Sequence, residues 1–391
     1  VEIPVIAPWP QYEADELAAA SNVLRSGKVN YWTGQEAREF EKEYAAWCGN
    51  RRAIALANGT VALELALMGL GLCPGDEVVT TPRTFLATSS ACVVRGLVPV
   101  FADVDPDSGN ITAESIEAVL TEKTRAIIPV HLGGWPCDMD AIMSLAEKHH
   151  LKVIEDCAQA HGAQCRGRSV GSIGHVGAWS FCQDKIISTG GEGGMVTTDD
   201  ETVWSAMWSY KDHGKSYEAV YQREHPKGFR WLHEDFGTNW RLTEMQSAIG
   251  RIQLAKLPGW VALRQRNAAI LKNRLVGFPC LRIPEPGPDF VHSYYRFYCY
   301  VRRDRLKGDW TRGRIREECA ALGAPCTGGA CSEIYMEKAF EKAGLRPERR
   351  LPVARELGET TLMYLVHPTL STETMEQYAE IIASVLARAQ A

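Results

Sequence analysis

The 391-residue chain has no long hydrophobic run. Apolar stretches such as Ala91 to Val94 and Ile127 to Val130 are far too short to cross a bilayer, which argues against a membrane partner. It has no basic run, and its formal net charge of -5 gives no electrostatic footprint for nucleic acid. None of the 12 cysteines forms a CxxC pair. Several of them (Cys92, Cys157, Cys182, Cys299) sit in apolar segments, which reads as reduced, buried thiols rather than a disulfide framework. No histidine spacing, the His149-His150 pair included, matches a metal site. The start of the chain, VEIPVIAPWPQYEADEL, lacks a basic n-region, so no signal peptide is expected and the protein reads as cytoplasmic. Low-complexity tracts and internal repeats are also missing. What is present is ordinary for a globular protein, 45% hydrophobic and 23% charged residues, at a length that predicts about two domains.

An N-terminal arm leads into helical patterns at Asp15 to Leu24 and Ala37 to Trp47, separated by SGKVNYWTG. Tyr31 and Trp32 in that loop serve either packing or a ligand pocket. A regular alternation follows: strand Arg52 to Ala57, helix Val61 to Leu70, strand Glu77 to Thr81, helix Thr88 to Arg95, strand Val98 to Val104. It continues through Ala113 to Leu120, Arg125 to Val130, Asp138 to His150 and Leu151 to Asp156. Such alternation predicts an α/β fold with a mostly parallel sheet and helices on both faces, and it places ligands at the carboxyl ends of the strands. Further on, residues 202 to 212 read as a helix, Tyr217 to Phe236 as a surface excursion, and Thr243 as the cap of a helix through Ile252. Near Asn267 the chain enters a second domain, giving a large domain with its arm over 1–266 and a smaller one over 267–391. The second contains a strand at Tyr294 to Val301, helices at Thr311 to Leu322 and Glu373 to Ala389, and a loop from Gly323 to Cys331.

The strand-end rule selects the candidate residues. Asn58-Gly59-Thr60 opens a helix, where exposed amides and a hydroxyl suit a phosphate, with simple capping as the alternative. Phe85 in PRTF follows the second strand and could stack on a flat ligand. Asp156 ends the hydrophobic strand VIED, where a carboxylate is costly unless it faces a cation or donors. Lys185 lies between the strand Ala178 to Phe181 and the glycine cluster GGEGG, which allows close approach of the backbone to a bound molecule. A lysine there is a nucleophile or a solvated loop residue. His213-Gly214-Lys215-Ser216 resembles the end of a P-loop, but Ser209 stands where the motif needs glycine and a helix precedes it, so nucleotide hydrolysis is rejected.

Together NGT, PRTF, EDCAQAHG, SFCQDK, GGEGG and GTNWRLTEMQSAIGRIQL resemble the pyridoxal-phosphate-dependent sugar aminotransferases of fold type I, in unbroken order over nearly the whole chain. The resemblance implies pyridoxal 5'-phosphate as cofactor and Lys185 as its Schiff-base lysine and proton shuttle. It implies that Asp156 pairs with the pyridine nitrogen, that Phe85 stacks on the ring, and that Gln159 lies against the other face or near the phenolic oxygen. Gly59, Thr60 and Ser180 would hold the phosphate. Asn239 would reach it from the neighbouring subunit, with Arg241 beside it on the substrate, in a homodimer with a shared active site. The implied reaction moves an amino group from an amino-acid donor, L-glutamate, to a keto-sugar acceptor, most commonly nucleotide-linked.

Two stretches depart from the family pattern: GAPCTGGACSEIY, where only Tyr335 matches, and MYLVHP, with Tyr364 where a small or proline-like residue is expected. Both lie where the family contacts substrate. Tyr31, Trp32, His292 and His367 are further candidates for lining that pocket. Other readings are an aminotransferase for a cyclic ketone such as an inosose, an aminohydroxybenzoate-synthase-like enzyme, and a non-catalytic regulator, which the presence of Lys185 and Asp156 opposes.

Overall fold

A computed structural model describes residues 6–391; residues 1–5, the first part of the N-terminal arm, lie outside the described residues. Helices α1 (Ala14–Ser26) and α2 (Glu36–Cys48) follow the arm, and both end on a left-handed glycine, Gly27 and Gly49. The predicted alternation follows as β1 (Arg52–Leu56), α3 (Gly59–Gly69), β2 (Glu77–Thr80), α4 (Ala87–Val94) and β3 (Val98–Phe101). It continues through α5 (Ala113–Glu117), β4 (Thr124–Ile128), α6 (Met139–Lys148) and β5 (Lys152–Asp156). A short hairpin, β6 (Gln164–Cys165) and β7 (Arg168–Ser169), precedes β8 (Val176–Ser180) and β9 (Gly194–Thr198).

Seven strands form one sheet in the order β1-β9-β8-β5-β4-β2-β3. Every strand in it is parallel to its fellows except β9, which runs antiparallel to both β1 and β8. Helices cover both faces, which explains why the strands read as unbroken apolar runs: Val153 and Ile154 of β5 and Ala126 to Ile128 of β4 are all fully buried. The mostly parallel sheet expected from the alternation is the one observed. Its carboxyl edge collects the ends of β1, β2, β5 and β8, so Asn58, Phe85, Asp156 and Lys185 approach one another from four separate stretches of chain.

Helix α7 (Glu201–Lys211) is capped by the Asp200 side chain and leads into the turn His213-Gly214, pinned against 235–238, so the P-loop lookalike is a helix-end turn. Beyond α8 (Tyr217–Tyr221) the chain is irregular, and Phe229, Trp231 and Phe236 stand exposed.

Helix α9 (Glu244–Leu275) runs 23 residues beyond its expected end at Ile252. Leu257-Pro258-Gly259 reads as a stop, and an interior proline costs about 3 kcal/mol. The helix keeps its apolar stripe through that point. Leu254, Leu257 and Val261 enter the core around Phe40, Tyr44, Trp179 and Phe181, while Ala268, Leu271 and Leu275 enter a second core with Phe297, Leu362 and Tyr378. Each large aliphatic buried is worth roughly 1.5–3 kcal/mol, so together these outweigh the proline. A division of the chain at 266/267 would fall inside this helix.

A second sheet has the order β10-β12-β14-β13, from β10 (Leu281–Arg282), β12 (Phe297–Val301), β13 (Cys326–Thr327) and β14 (Thr361–Tyr364). Strand β11 (Phe290–Val291) leaves it to pair with β6 of the hairpin. The strand expected from Tyr294 begins at Phe297, because Tyr294 adopts φ 49° and interrupts the extended backbone. Helices α10 (Arg312–Ala321), α11 (Lys338–Ala343), α12 (Pro352–Thr360) and α13 (Thr372–Ala389) complete the chain. No helix among the described residues is long and apolar enough to cross a membrane. No disulfide joins the cysteines, most of which are buried, with Cys73 and Cys331 exposed.

Candidate active site

At the carboxyl edge of the large sheet lies a cavity of about 540 Å³ whose lining includes Gly59, Thr60, Phe85, Asp156, Gln159, Ser180 and Lys185. Seven residues singled out from four separate motifs therefore share one pocket.

At one end, the Asn58 side chain caps α3 by accepting from the Val61 amide at 3.0 Å. The first amides of a helix have no acceptor within it, so those of Gly59 and Thr60 remain for a ligand. Capping and phosphate binding, alternatives in the sequence, are thus divided between adjacent residues. A Cβ on Gly59 would come within 2.6 Å of the Ser180 Cβ, so only glycine lets the helix start press against β8 there.

At the other end, Asp156 is almost completely buried. Its Oδ2 accepts from the Thr88 hydroxyl at 2.8 Å and its Oδ1 from the Ala158 amide at 3.1 Å. Burial pushes its carboxyl above the ordinary aspartate value, only partly opposed by Thr88, the Ala158 amide and the more distant Lys185. No cation pairs directly with it among the described residues. The site is therefore short of a positive partner at this point.

The neighbouring Glu155 faces the opposite side of β5. Its carboxylate accepts from the amides of Gly171, Ile173 and Gly174 and from His131 Nε2. His131 Nδ1 accepts from the Cys137 amide at 3.0 Å, which makes Nε2 the protonated nitrogen of a neutral ring. Burial acts against the Glu155 charge, but these donors outweigh it and hold its carboxyl below the usual glutamate value. This knot ties two loops, the one after β4 and the one between β7 and β8, to the end of β5 and so fixes the strand that carries Asp156.

Lys185 sits in the turn after β8, with its carbonyl accepting from Trp9 Nε1 at 2.7 Å. Its Nζ lies 3.6 Å from Asp184 Oδ1 and 5.0 Å from the centre of the Tyr295 ring. Burial works against charge on this amine, yet the Tyr295 hydroxyl and the Asp184 and Asp156 carboxylates outweigh it and keep its pKa above the ordinary lysine value. Phe85 stands at the mouth with 71% of its surface open, so one ring face awaits a flat partner. The Gln159 Oε1 accepts from the Gly133 amide at 2.8 Å, which orients its side chain.

The other candidates lie elsewhere in the single chain. Tyr31 is buried with its hydroxyl on Glu41, and Trp32 packs edge-on against Trp208 and stacks near Tyr221, so here the packing role is the one observed. Tyr335 spends its hydroxyl on Glu333 at 2.6 Å and on the Leu351 amide at 2.9 Å, in a cluster with Phe101 and Phe340. His292 stacks on Tyr294 at 3.8 Å, and His367 bonds Thr369 and stacks near Trp9. Asn239 pairs its backbone with Asp212, whose buried carboxylate also holds Arg241 Nη1 at 2.7 Å. None of these lines the cavity within one chain. Conversely, the sequence reading passed over Thr88, Asp184, Cys182 and Glu192, which do line it. Thr88 had a signal in its position three residues after Phe85, one helical turn along.

Residues 10–383 match the DegT/DnrJ/EryC1/StrS aminotransferase family. Among curated proteins, the chain is 37% identical to a UDP-N-acetyl-3-dehydro-alpha-D-glucosamine 3-aminotransferase of Acidithiobacillus ferrooxidans, over 92% of this chain and 90% of that protein. It is 34% identical to a dTDP-3-amino-3,4,6-trideoxy-alpha-D-glucose transaminase of Streptomyces venezuelae, over 93% and 90%. Among solved structures, an aminotransferase from Psychrobacter cryohalolentis shares 57% identity and superposes with a TM-score of 0.97, covering 98% of this chain and 99% of that one.

Proposed function

The chain belongs to the DegT/DnrJ/EryC1/StrS aminotransferase family, whose members depend on pyridoxal phosphate, and on that premise we propose that it moves the amino group of L-glutamate to a nucleotide-linked keto-sugar. The observation that carries this reading is the meeting, in one cavity, of the Lys185 amine, the unpaired buried carboxylate of Asp156 and the free amides at the start of α3. The donor set fits the cofactor at three points: an anion site, a seat for a ring nitrogen that carries a proton, and an amine. Relatives named for UDP- and dTDP-linked amino sugars support the acceptor class.

Pyridoxal phosphate, when bound, supplies the electron sink that lets a hydrogen on the substrate carbon leave as a proton. The amides of Gly59 and Thr60, with the Thr60 and Ser180 hydroxyls, would bind its phosphate. Asp156 would hold the proton on its ring nitrogen, and the Thr88 hydroxyl keeps that carboxylate aimed. Phe85 and Gln159 would cover the two ring faces. Lys185 would hold the aldehyde carbon through Nζ and, once released, would carry the proton between substrate and cofactor carbons.

Asn239 and Arg241 complete the reading across a homodimer, reaching the site of the neighbouring subunit. The exposed Phe229, Trp231 and Phe236 in the adjoining segment support such a contact, because apolar side chains gathered on one loop favour a partner surface. The division into a large cofactor domain and a smaller C-terminal one is part of the same reading.

The test is the absorption spectrum of the protein loaded with pyridoxal phosphate. Visible absorption from the lysine-bound cofactor, bleached by L-glutamate and restored by one member of a panel of nucleotide-linked keto-sugars, supports the reading and identifies the acceptor. A loaded protein that L-glutamate and every other amino acid leave unbleached overturns it.

A further inference from the structure

The side chain next to Lys185 in sequence, Asp184, lines the same cavity and has no part in the mechanism above. Its two carboxylate oxygens face in different directions. Oδ2 accepts from the Tyr295 hydroxyl and lies 3.6 Å from Arg296 Nη2, both on the segment that leads into β12. Oδ1 lies 3.6 Å from Lys185 Nζ, an ion pair rather than a hydrogen bond at that distance. The amine in turn sits 5.0 Å from the centre of the Tyr295 ring. One tyrosine thus supports the carboxylate through its hydroxyl and the amine through its ring face.

The groups around the amine divide by charge. Asp184 and the Cys182 thiol share its own turn, with Glu192 facing Cys182 at 3.9 Å. Asp156 faces it more distantly from the end of β5. His161, beyond β5, is lowered to about 3 chiefly by burial, so it is neutral. Trp9 of the arm bonds the Lys185 carbonyl and brings no charge. On the other side stand two cations: Arg296, and Arg264 of α9, whose Nη1 atoms both donate to the Tyr295 carbonyl at 3.4 and 3.3 Å. Among the described residues, Asp184 is the one carboxylate in ion-pair contact with Lys185 or Arg296. Burial opposes its charge, but Lys185, the Tyr295 hydroxyl and Arg296 outweigh burial and hold its carboxyl below the ordinary aspartate value. Asp184 is therefore ionised at neutral pH, fixed beside an amine that burial and two guanidinium groups would otherwise strip of its proton.

Resting on the reading of Lys185 as the proton carrier, we propose that Asp184, steadied by Tyr295, is a positioning residue that holds the free Lys185 amine at the cavity and favours its proton-bound form. Asp184 takes no proton itself. The amine accepts one from the substrate carbon with its lone pair, and the neighbouring carboxylate balances the ammonium until the same proton is delivered to the second carbon. A neutral amide in place of Asp184 keeps the size of the side chain and removes the charge, so the amine then gives up its proton at lower pH.

The experiment is trace acetylation with acetic anhydride, which only a deprotonated amine attacks, on the full chain without cofactor. Labelling of Lys185 is read by peptide mass spectrometry against the exposed lysines, for wild type, Asp184→Asn and Asp184→Glu, from about pH 7 to about pH 11. The wild-type Lys185 midpoint is expected at or above the ordinary 10.5 despite burial. In Asp184→Asn it falls by about one unit, so that Lys185 labels roughly tenfold faster near about pH 8, while Asp184→Glu stays nearer the wild type. With cofactor loaded, the pH at which the lysine-bound absorption changes moves down in Asp184→Asn and not in Asp184→Glu. Equal labelling of wild type and Asp184→Asn, or an Asp184→Glu that labels like Asp184→Asn, overturns the proposal, since a side chain that merely shaped the turn would give those results. Should Asp184→Asn fail to fold, the wild type decides, because a Lys185 midpoint well below 10.5 overturns the proposal by itself. Absence of lysine-bound absorption in the loaded wild type would count against the aminotransferase reading instead, and the labelling of the unloaded chain still reports on Asp184.

Discussion

His131 and Glu155, both completely buried, meet at 3.1 Å between Nε2 and Oε2, one residue before the carboxylate at the centre of the site. Because Glu155 also accepts three backbone amides, Glu155→Ala leaves four donors without an acceptor. The expected loss is about 3–5 kcal/mol, by analogy with breaking a buried pair. Chemical denaturation of the unloaded protein measures it.

The same group makes a statement about acid. The folded-state pKa of Glu155 lies below its unfolded value, so its contribution is complete above the unfolded value and is lost as pH falls through the folded one. Glu155→Gln should therefore show a shallower loss of stability below about pH 4.5 than the wild type. Equal acid limbs in the two proteins would contradict this.

Asp156 has the opposite sign. Its folded-state pKa is raised by burial, so its charge costs stability in the unloaded protein at neutral pH. Asp156→Asn should fold at least as stably as the wild type without cofactor, yet transaminate at least about a hundredfold more slowly. Thermal unfolding with and without pyridoxal phosphate, set beside a rate assay, separates the two effects.

Phe85 is mostly exposed, so Phe85→Ala should change the stability of the unloaded chain by no more than about 0.5 kcal/mol. Loss of ring stacking should weaken cofactor binding by about 0.5–1.5 kcal/mol, up to roughly tenfold. Equilibrium dialysis against pyridoxal phosphate reads this out.

Lys211 is fully buried, with its amine 3.7 Å from the centre of the Tyr31 ring and no hydrogen-bond partner among the described residues. Burial lowers it from 10.5 to about 8, so the unfolded chain binds the extra proton between those values. Stability should rise with pH over that window by up to about 3 kcal/mol, and Lys211→Met should flatten the slope. Denaturant midpoints measured from pH 8 to 10.5 test the sign.

The parts of the fold legible in the sequence are those written locally. Alternating runs such as Arg52 to Leu56, Glu77 to Thr80 and Lys152 to Asp156 announce themselves because strands buried on both faces need continuous apolar side chains. Phe85, Asp156 and Lys185 line one cavity because strand ends in such sheets face one edge, a rule that can be applied to the sequence alone. What stayed hidden depends on distant partners. The continuation of α9 past Pro258 is decided by the two cores it enters, and the knot around Glu155 by loops 15 or more residues away in sequence. Arg264 and Arg296 share a carbonyl only because α9 and the lead into β12 pack together. Tyr31 and Tyr335 carry the residue type expected of a binding pocket, but their hydroxyls are consumed by Glu41 and Glu333.

Helix α9 contributes Leu254 and Leu257 to one hydrophobic core and Leu271 and Leu275 to the other, without a break. Neither core can melt while the other keeps its share of that helix intact. The chain should consequently lose its structure in a single calorimetric transition, and severing it between Arg266 and Asn267 should yield two fragments that refold only in each other's presence.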